Sequence, residues 1–189
     1  EHRPAQAGAT VLRVQNLSLP RADQFGVDLI DVEFEVKAGE VVGIAGVSGN
    51  GQKELLYALS GEDQRAASAS IQVAGKNAGR MGPGQRRALG LHFVPEERLG
   101  RGAVPTMGLA HNLLLTRTNA VSGSGWIQVG ALQKHAQSII ERFHVKAGGP
   151  NSAAKSLSGG NLQKFIVGRE IDANPTLLIV SQPTWGVDV

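Results

Sequence analysis

At 189 residues with no cysteine, the chain is long enough to bury a substantial core, and it holds neither a disulfide nor a thiolate metal site. A net charge of +3 and a pI near 9.5 suit an anionic ligand, an acidic lipid surface or nucleic acid, but the basic runs Gln85-Arg86-Arg87 and Arg98 to Arg101 are short, lack aromatics and read as solvated faces, not as a single-strand nucleic-acid platform. No apolar stretch reaches the roughly 18 residues of a membrane span, no signal-peptide core follows Glu1-His2-Arg3-Pro4, and five scattered His offer no i, i+4 ligand pair on a helix.

Residues 1–10 read as a flexible approach rich in Ala, Gly and Pro. Val11 to Val14 and Val32 to Val36 alternate as half-exposed or antiparallel strands, and Val41-Val42-Gly43-Ile44-Ala45, apolar on both faces, suits a buried parallel strand. A glycine loop follows, Gly46-Val47-Ser48-Gly49-Asn50-Gly51-Gln52-Lys53, and then a helix from Gln52 to Ser60 stopped by Gly61. Strand, loop and helix in this order aim backbone N–H groups and a positive helix end at one anion. The glycines sit where a phosphate-binding loop needs them, while the last two positions, normally Lys and Ser/Thr, are Gln52 and Lys53. One residue along a helix turns a side chain by about 100 degrees, so Lys53 is read as an exposed helix lysine in preference to a shifted loop cation.

Ser70 to Val73 and Leu91 to Val94 are short strand candidates, separated by a turn region from Gly79 to Gly84. Pro95-Glu96-Glu97-Arg98 follows, then a helix from about Leu109 and a longer one from Val129 to Phe143, with Ile139, Ile140 and Phe143 on one face. Leu157-Ser158-Gly159-Gly160-Asn161 precedes a helical pattern, Leu162 to Ile171, that stops at Asn174-Pro175. Leu177 to Val180 is a second buried strand, with Ser181-Gln182-Pro183-Thr184 at its C-terminal end, the edge where a nucleotide-binding sheet places its chemistry.

Over roughly residues 11–189 these segments resemble the nucleotide-binding domain of ABC transporters, and more narrowly the second, C-terminal cassette of the fused ATP-binding subunit of bacterial importers of simple sugars or nucleosides. The most specific piece is Leu157-Ser158-Gly159-Gly160-Asn161-Leu162-Gln163, which matches the family's signature loop. The resemblance implies an α/β fold: a P-loop core of ABC type, an antiparallel β subdomain before it, and an inserted helical subdomain at about 96–165. It also implies a chain truncated at its C-terminus, short of the strand and switch histidine of the family. ATP and Mg2+ are the implied cofactors, the metal mainly at a partner site.

In such a cassette the nucleotide lies on Gly46, Ser48, Gly49, Asn50, Gly51, Gln52 and Lys53. Leu157, Ser158, Gly159, Gly160, Asn161 and Gln163 close over nucleotide held by the opposing cassette. Ser158 also reads simply as a helix cap. Glu96 stands at the Q-loop position and Asp188 at the D-loop acid, and an exposed acidic turn is the other reading of Glu96 and Glu97. Phe25, the nearest upstream aromatic, is the candidate for stacking on the base, with core or edge packing as the competing reading.

The acidic pair expected after Leu177 to Val180 is replaced by Ser181 at the metal position and Gln182 at the catalytic position. A hydroxyl holds magnesium more weakly than a carboxylate, and an amide can bond a water without accepting its proton. The implied partners are the first cassette of the same fused subunit, transmembrane permease subunits and, indirectly, a periplasmic or lipoprotein substrate-binding protein, with no nucleic acid. The implied location is the cytoplasmic face of the bacterial inner membrane, held peripherally. The expected function is a cassette that powers or regulates import while its own site is degenerate. A non-transport structural or regulatory nucleotide-binding module is the alternative, and a DNA-associated ABC-type ATPase is the third.

Overall fold

The computed structural model describes residues 8–47, 49–117, 122–123 and 126–182, which form two compact units divided after His92. The first unit is built on a four-stranded antiparallel sheet in the order β2-β1-β3-β4. Its strands are β1 (Thr10–Leu19), β2 (Leu29–Lys37), β3 (Ile71–Val73) and β4 (Lys76–Asn77). The first two run longer than the alternation alone suggests, because they pair with each other: β1 and β2 are joined along their whole length, with register shifts near Asn16, where φ is 48°. The ladder reaches back into the segment expected to be flexible, since Gly8 N donates to Ala38 O (3.0 Å) and Ala38 N to Ala9 O (2.9 Å).

One face of the sheet turns inward, as the pleat allows. Leu12, Val14, Leu17, Ile71 and Val73 are all at most 2% exposed, and Leu55, Ala58 and Leu59 of α1 (Gln52–Ser60) are buried in the same unit. Gly61 ends α1 in the left-handed conformation, with φ 86° and its N–H on Tyr57 O. A second helix, α2 (Pro83–Ala88), occupies what the sequence presents as a turn region. Proline is tolerated there because it sits at the first helical position, where its missing N–H costs nothing. Gln85 Oε1 accepts from Gly82 N at 3.0 Å and closes that helix start.

Val41 to Ala45 departs from expectation. No strand forms there, and Val41, Val42, Ile44 and Val47 are 96%, 41%, 54% and 76% exposed. The physical reason is the absence of a partner: no strand among the described residues pairs with this run, and an apolar segment without a ladder has nowhere to satisfy its backbone inside a core.

β5 (Leu91–Val94) carries the chain into the second unit, where a two-stranded sheet joins β5 to β8 (Leu177–Val180). Between them come α3 (Leu109–Leu114), the small hairpin β6 (Ser122–Gly123) and β7 (Trp126–Ile127), α4 (Val129–Arg142) and α5 (Gly159–Asp172). The three helices meet over one core of Val94, Leu109, Leu113, Leu132, Ile139, Leu162, Phe165 and Ile166, with Phe143 packed against it. Each of these large side chains contributes about 1.5–3 kcal/mol by leaving water. No helix among the described residues is long and apolar enough to cross a membrane.

Candidate functional site

The glycine loop and the turn beside it lie in the first unit. Gly49 and Gly51 take φ of 88° and 94°, conformations that an L side chain adopts only with strain, and Gly51 caps α1 without a side-chain bond. Among the described residues no side chain caps the helix start. Gln52 turns its side chain back over the loop: its Oε1 accepts from Asn50 N at 3.1 Å and its Nε2 donates to Val47 O at 3.0 Å. A Cβ on Gly46 would collide with that same Nε2. Lys53 points elsewhere, with its ammonium 5.5 Å from the centroid of the Tyr57 ring, one helical turn on. Ser48 lies outside the described residues.

Phe25 is 87% exposed, which excludes core packing. It stands on a turn held by Asp23, whose Oδ1 accepts from Phe25 N (2.8 Å) and whose carbonyl accepts from Gly26 N (3.2 Å). The same turn is tied to the loop's helix, since Val27 N donates to Glu54 Oε1 at 3.2 Å and the side chains of Val27 and Leu29 crowd the Cβ position of Gly51. An apolar ring is thus held in water by a turn fastened to the glycine loop.

The signature segment and the residues after β8 lie in the second unit. Ser158 caps α5: its Oγ accepts from Asn161 N (3.4 Å) and from Asn161 Nδ2 (2.9 Å). The hydroxyl keeps its own proton as an unused donor among the described residues, and Ser158 is exposed. Asn161 is fixed in turn by Lys146 N, which donates to its Oδ1 at 2.8 Å. Ser158 and Gly159 are exposed and Gly160 is half-buried, whereas Leu157 packs against the core. Gln163, in the same motif, is only 3% exposed, and its Oε1 has no hydrogen-bond partner among the described residues.

Ser181 is buried, its N–H donating to Val94 O across the β5–β8 pair at 3.0 Å. Gln182 is exposed with φ 50°, the left-handed region that few non-glycine residues occupy. Glu96 and Glu97 are exposed just after β5. Asp188 lies outside the described residues.

These groups fit a nucleotide only in part. The loop offers amides and a helix N-terminus, but one amide is already bonded to Gln52 and no ammonium enters the loop. For a divalent cation the donors do not fit: Ser181 and Gln182 carry no charge, and among the described residues no group of three or more His, Cys, Asp or Glu is placed to hold a metal.

Two arginines that the sequence presents as solvated are not. Arg86 is fully buried and caps the C-terminal end of α1, its guanidinium donating to Leu59 O (2.7 Å), Met81 O (2.9 Å), Gly79 O (3.2 Å) and Ala58 O. Burial pushes its pKa down to about 10, which leaves it charged at neutral pH. Arg98 is half-buried, with its guanidinium against Gly159. A polar cluster is also invisible to the motifs: Asp172 on α5 meets Arg117 (2.9 Å), His135 (2.7 Å) and Arg142 (3.0 Å). Burial alone would raise the Asp172 pKa, but the hydrogen bond from His135 and the charges of Arg117 and His135 outweigh it and hold the carboxyl below its ordinary value. Nothing in local sequence marks these residues, because their partners are 30 or more positions away.

Among known proteins, the ABC transporter family matches residues 29–185. The chain is 40% identical over 192 residues to the guanosine import ATP-binding protein NupO of Bacillus subtilis, a match covering 100% of this chain and 37% of that protein. It is 36% identical over 182 residues to the ribose import ATP-binding protein RbsA of Halalkalibacterium halodurans, covering 96% and 35%. The chain thus spans little more than a third of the length of these curated relatives. Among solved structures, a dimeric bacterial ABC transporter cassette aligns with a TM-score of 0.76 over 94% of this chain and 76% of that one at 19% identity, which establishes the cassette fold.

Proposed function

The chain belongs to the ABC transporter family, and from that premise we propose that it is the second cassette of a fused importer subunit, serving a simple sugar or a nucleoside. The names of its relatives, guanosine import and ribose import proteins, support that substrate range. In this reading the chain lends its signature loop, Ser158 to Gly160, to nucleotide held by the first cassette of the same polypeptide, and its own site is degenerate. The observation that carries the division of labour is Gln52: its amide bonds both Asn50 N and Val47 O, so the loop is bridged from within where a cation would face phosphate.

ATP with Mg2+, bound mainly at the partner site, supplies the phosphoryl chemistry. What this chain's residues contribute is positioning. Ser158 presents an exposed hydroxyl at a helix N-terminus, and Gly159 and Gly160 keep that surface low. Phe25 is the candidate base-stacking residue of the chain's own weak site, and Glu96 and Asp188 are the candidates for coupling to the permease and to the opposing site. The cassette would sit peripherally at the cytoplasmic face of the membrane on transmembrane permease subunits, receiving substrate through a binding protein, with the helical part at about 96–165 facing the permease.

The chain alone is expected to turn over ATP at background level, and to co-purify with a membrane permease from cells that express the whole importer. Turnover matching an intact cassette pair and lost on Gln182→Ala, or a soluble partner in place of a permease, overturns the reading.

A further inference from the structure

We propose that Arg98 is a positioning residue for the signature loop, its guanidinium occupying the side-chain space that Gly159 leaves empty and fastening the Glu96-bearing turn to the first turn of α5. The inference rests on the reading that Ser158 to Gly160 serve a partner's nucleotide. It gives Gly159 a second reason to be glycine: the space beside it is filled from within the chain.

The contact is direct. A Cβ built on Gly159 would lie 3.6 Å from Arg98 Cζ and closer still to Nη1. Arg98 reaches this place from a turn that is closed on itself, as Gly102 N donates to Glu97 O (3.0 Å) and Ala103 N to Arg98 O (2.7 Å), with Ala103 in the core. The turn then lies along α5 at two further points. A Cβ on Gly102 would come within 2.9 Å of Ile166 Cδ1, and Arg169 Nη2 donates to Gly102 O at 2.9 Å. Contacts at 159, 166 and 169 span about 15 Å of one helix at 1.5 Å per residue. Any displacement of the Glu96 turn relative to α5 must break the Arg169 bond and unseat the Arg98 guanidinium. The turn and the signature therefore move together.

The placement is not explained by helix stability. A cation at a helix N-terminus opposes the macrodipole, so Arg98 sits at the end of α5 that favours it least. Its use is to hold the loop, and the charge it brings has the sign that a phosphate on the far side of that loop requires.

The test uses the full-length importer subunit that carries this cassette, with steady-state ATP turnover and thermal melting as readouts. Arg98→Ala is expected to lower kcat about tenfold with KM for ATP and the melting temperature unchanged, and Arg98→Lys to restore most of the loss. Gly159→Ala is expected to cost at least as much as Arg98→Ala, because it expels the flexible guanidinium and also raises the surface that faces the partner's nucleotide. Full kcat in Arg98→Ala, or no recovery in Arg98→Lys, overturns the inference while leaving the trans-acting signature intact. Unchanged turnover in Ser158→Ala overturns the signature reading, and the inference falls with it.

Discussion

Gln52→Lys restores the cation that the glycine loop lacks, and its effect on nucleotide affinity has two parts that act in the same direction. An ammonium about 4 Å from a phosphate oxygen gains about 4 kcal/mol at an effective dielectric of 20 and about 1 kcal/mol in bulk water, so about 2 kcal/mol is expected at this exposed loop. The substitution also removes the hydrogen bonds that Gln52 makes to Asn50 N and Val47 O, and freeing the Asn50 amide for phosphate adds up to about 1 kcal/mol. Binding should therefore tighten by roughly 30-fold or more. Gln52→Ala separates the two contributions, because it frees the Asn50 amide without adding charge and gains at most about fivefold. Titration of the full chain with a fluorescent ATP analogue and Mg2+ reads both variants, and the gain of Gln52→Lys should shrink as salt is raised. An affinity for Gln52→Lys no greater than that of Gln52→Ala refutes the claim that missing charge is what weakens this loop.

Arg86→Met strands four carbonyl groups, those of Ala58 and Leu59 at the end of α1 among them, and should cost about 3–4 kcal/mol, read as a lowered denaturant midpoint with unchanged slope; a loss under about 1 kcal/mol contradicts the capping role. Asp172→Asn should cost about 2 kcal/mol at neutral pH through its partly buried partners Arg117 and His135. Because the folded carboxyl is held below its ordinary value of 3.8, the unfolded chain binds the proton more readily, and the contribution is present above that value and lost as pH falls through the folded pKa. The difference between wild type and Asp172→Asn therefore closes under acid, and a gap that stays constant or widens there contradicts the assigned ion pairs.

Much of the architecture is legible in local pattern. The bounds of α1 follow from Gly61 and those of β8 from the apolar run after Asn174-Pro175, since these signals act on the backbone where they occur. Val41 to Ala45 is illegible for the opposite reason. Its side chains announce burial, but burial of a strand depends on a neighbour that supplies hydrogen bonds, and none of the described strands does so. α2 is hidden by Pro83, which reads as a breaker unless its place at the first helical position is known.

The site shows where spacing stops being informative. Glycine positions can be read as sharp turns or as room for a ligand, and three of them here make room for a long polar side chain of the same protein. A Cβ on Gly46 meets Gln52 Nε2, one on Gly159 meets Arg98, and one on Gly61 lies 2.9 Å from Arg86 Nε after first meeting Met81 O at 2.6 Å. In the sequence the two arginines read as solvated and Gln52 as a lost charge. The partners of Arg86 and Gln52 are backbone carbonyls and an amide, which carry no sequence identity and so leave no trace in a motif. A glycine beside a helix terminus therefore admits two occupants, a ligand from outside or an arginine or glutamine from within. At the glycine loop the inner occupant takes an amide that phosphate would use; at the signature Arg98 lies against Gly159 while Ser158 stays exposed. In the proposed reading the same device would close one half-site and brace the other, and the two arms of the Gln52 and Arg98 experiments differ in sign for that reason: removing the inner side chain should help the first and harm the second.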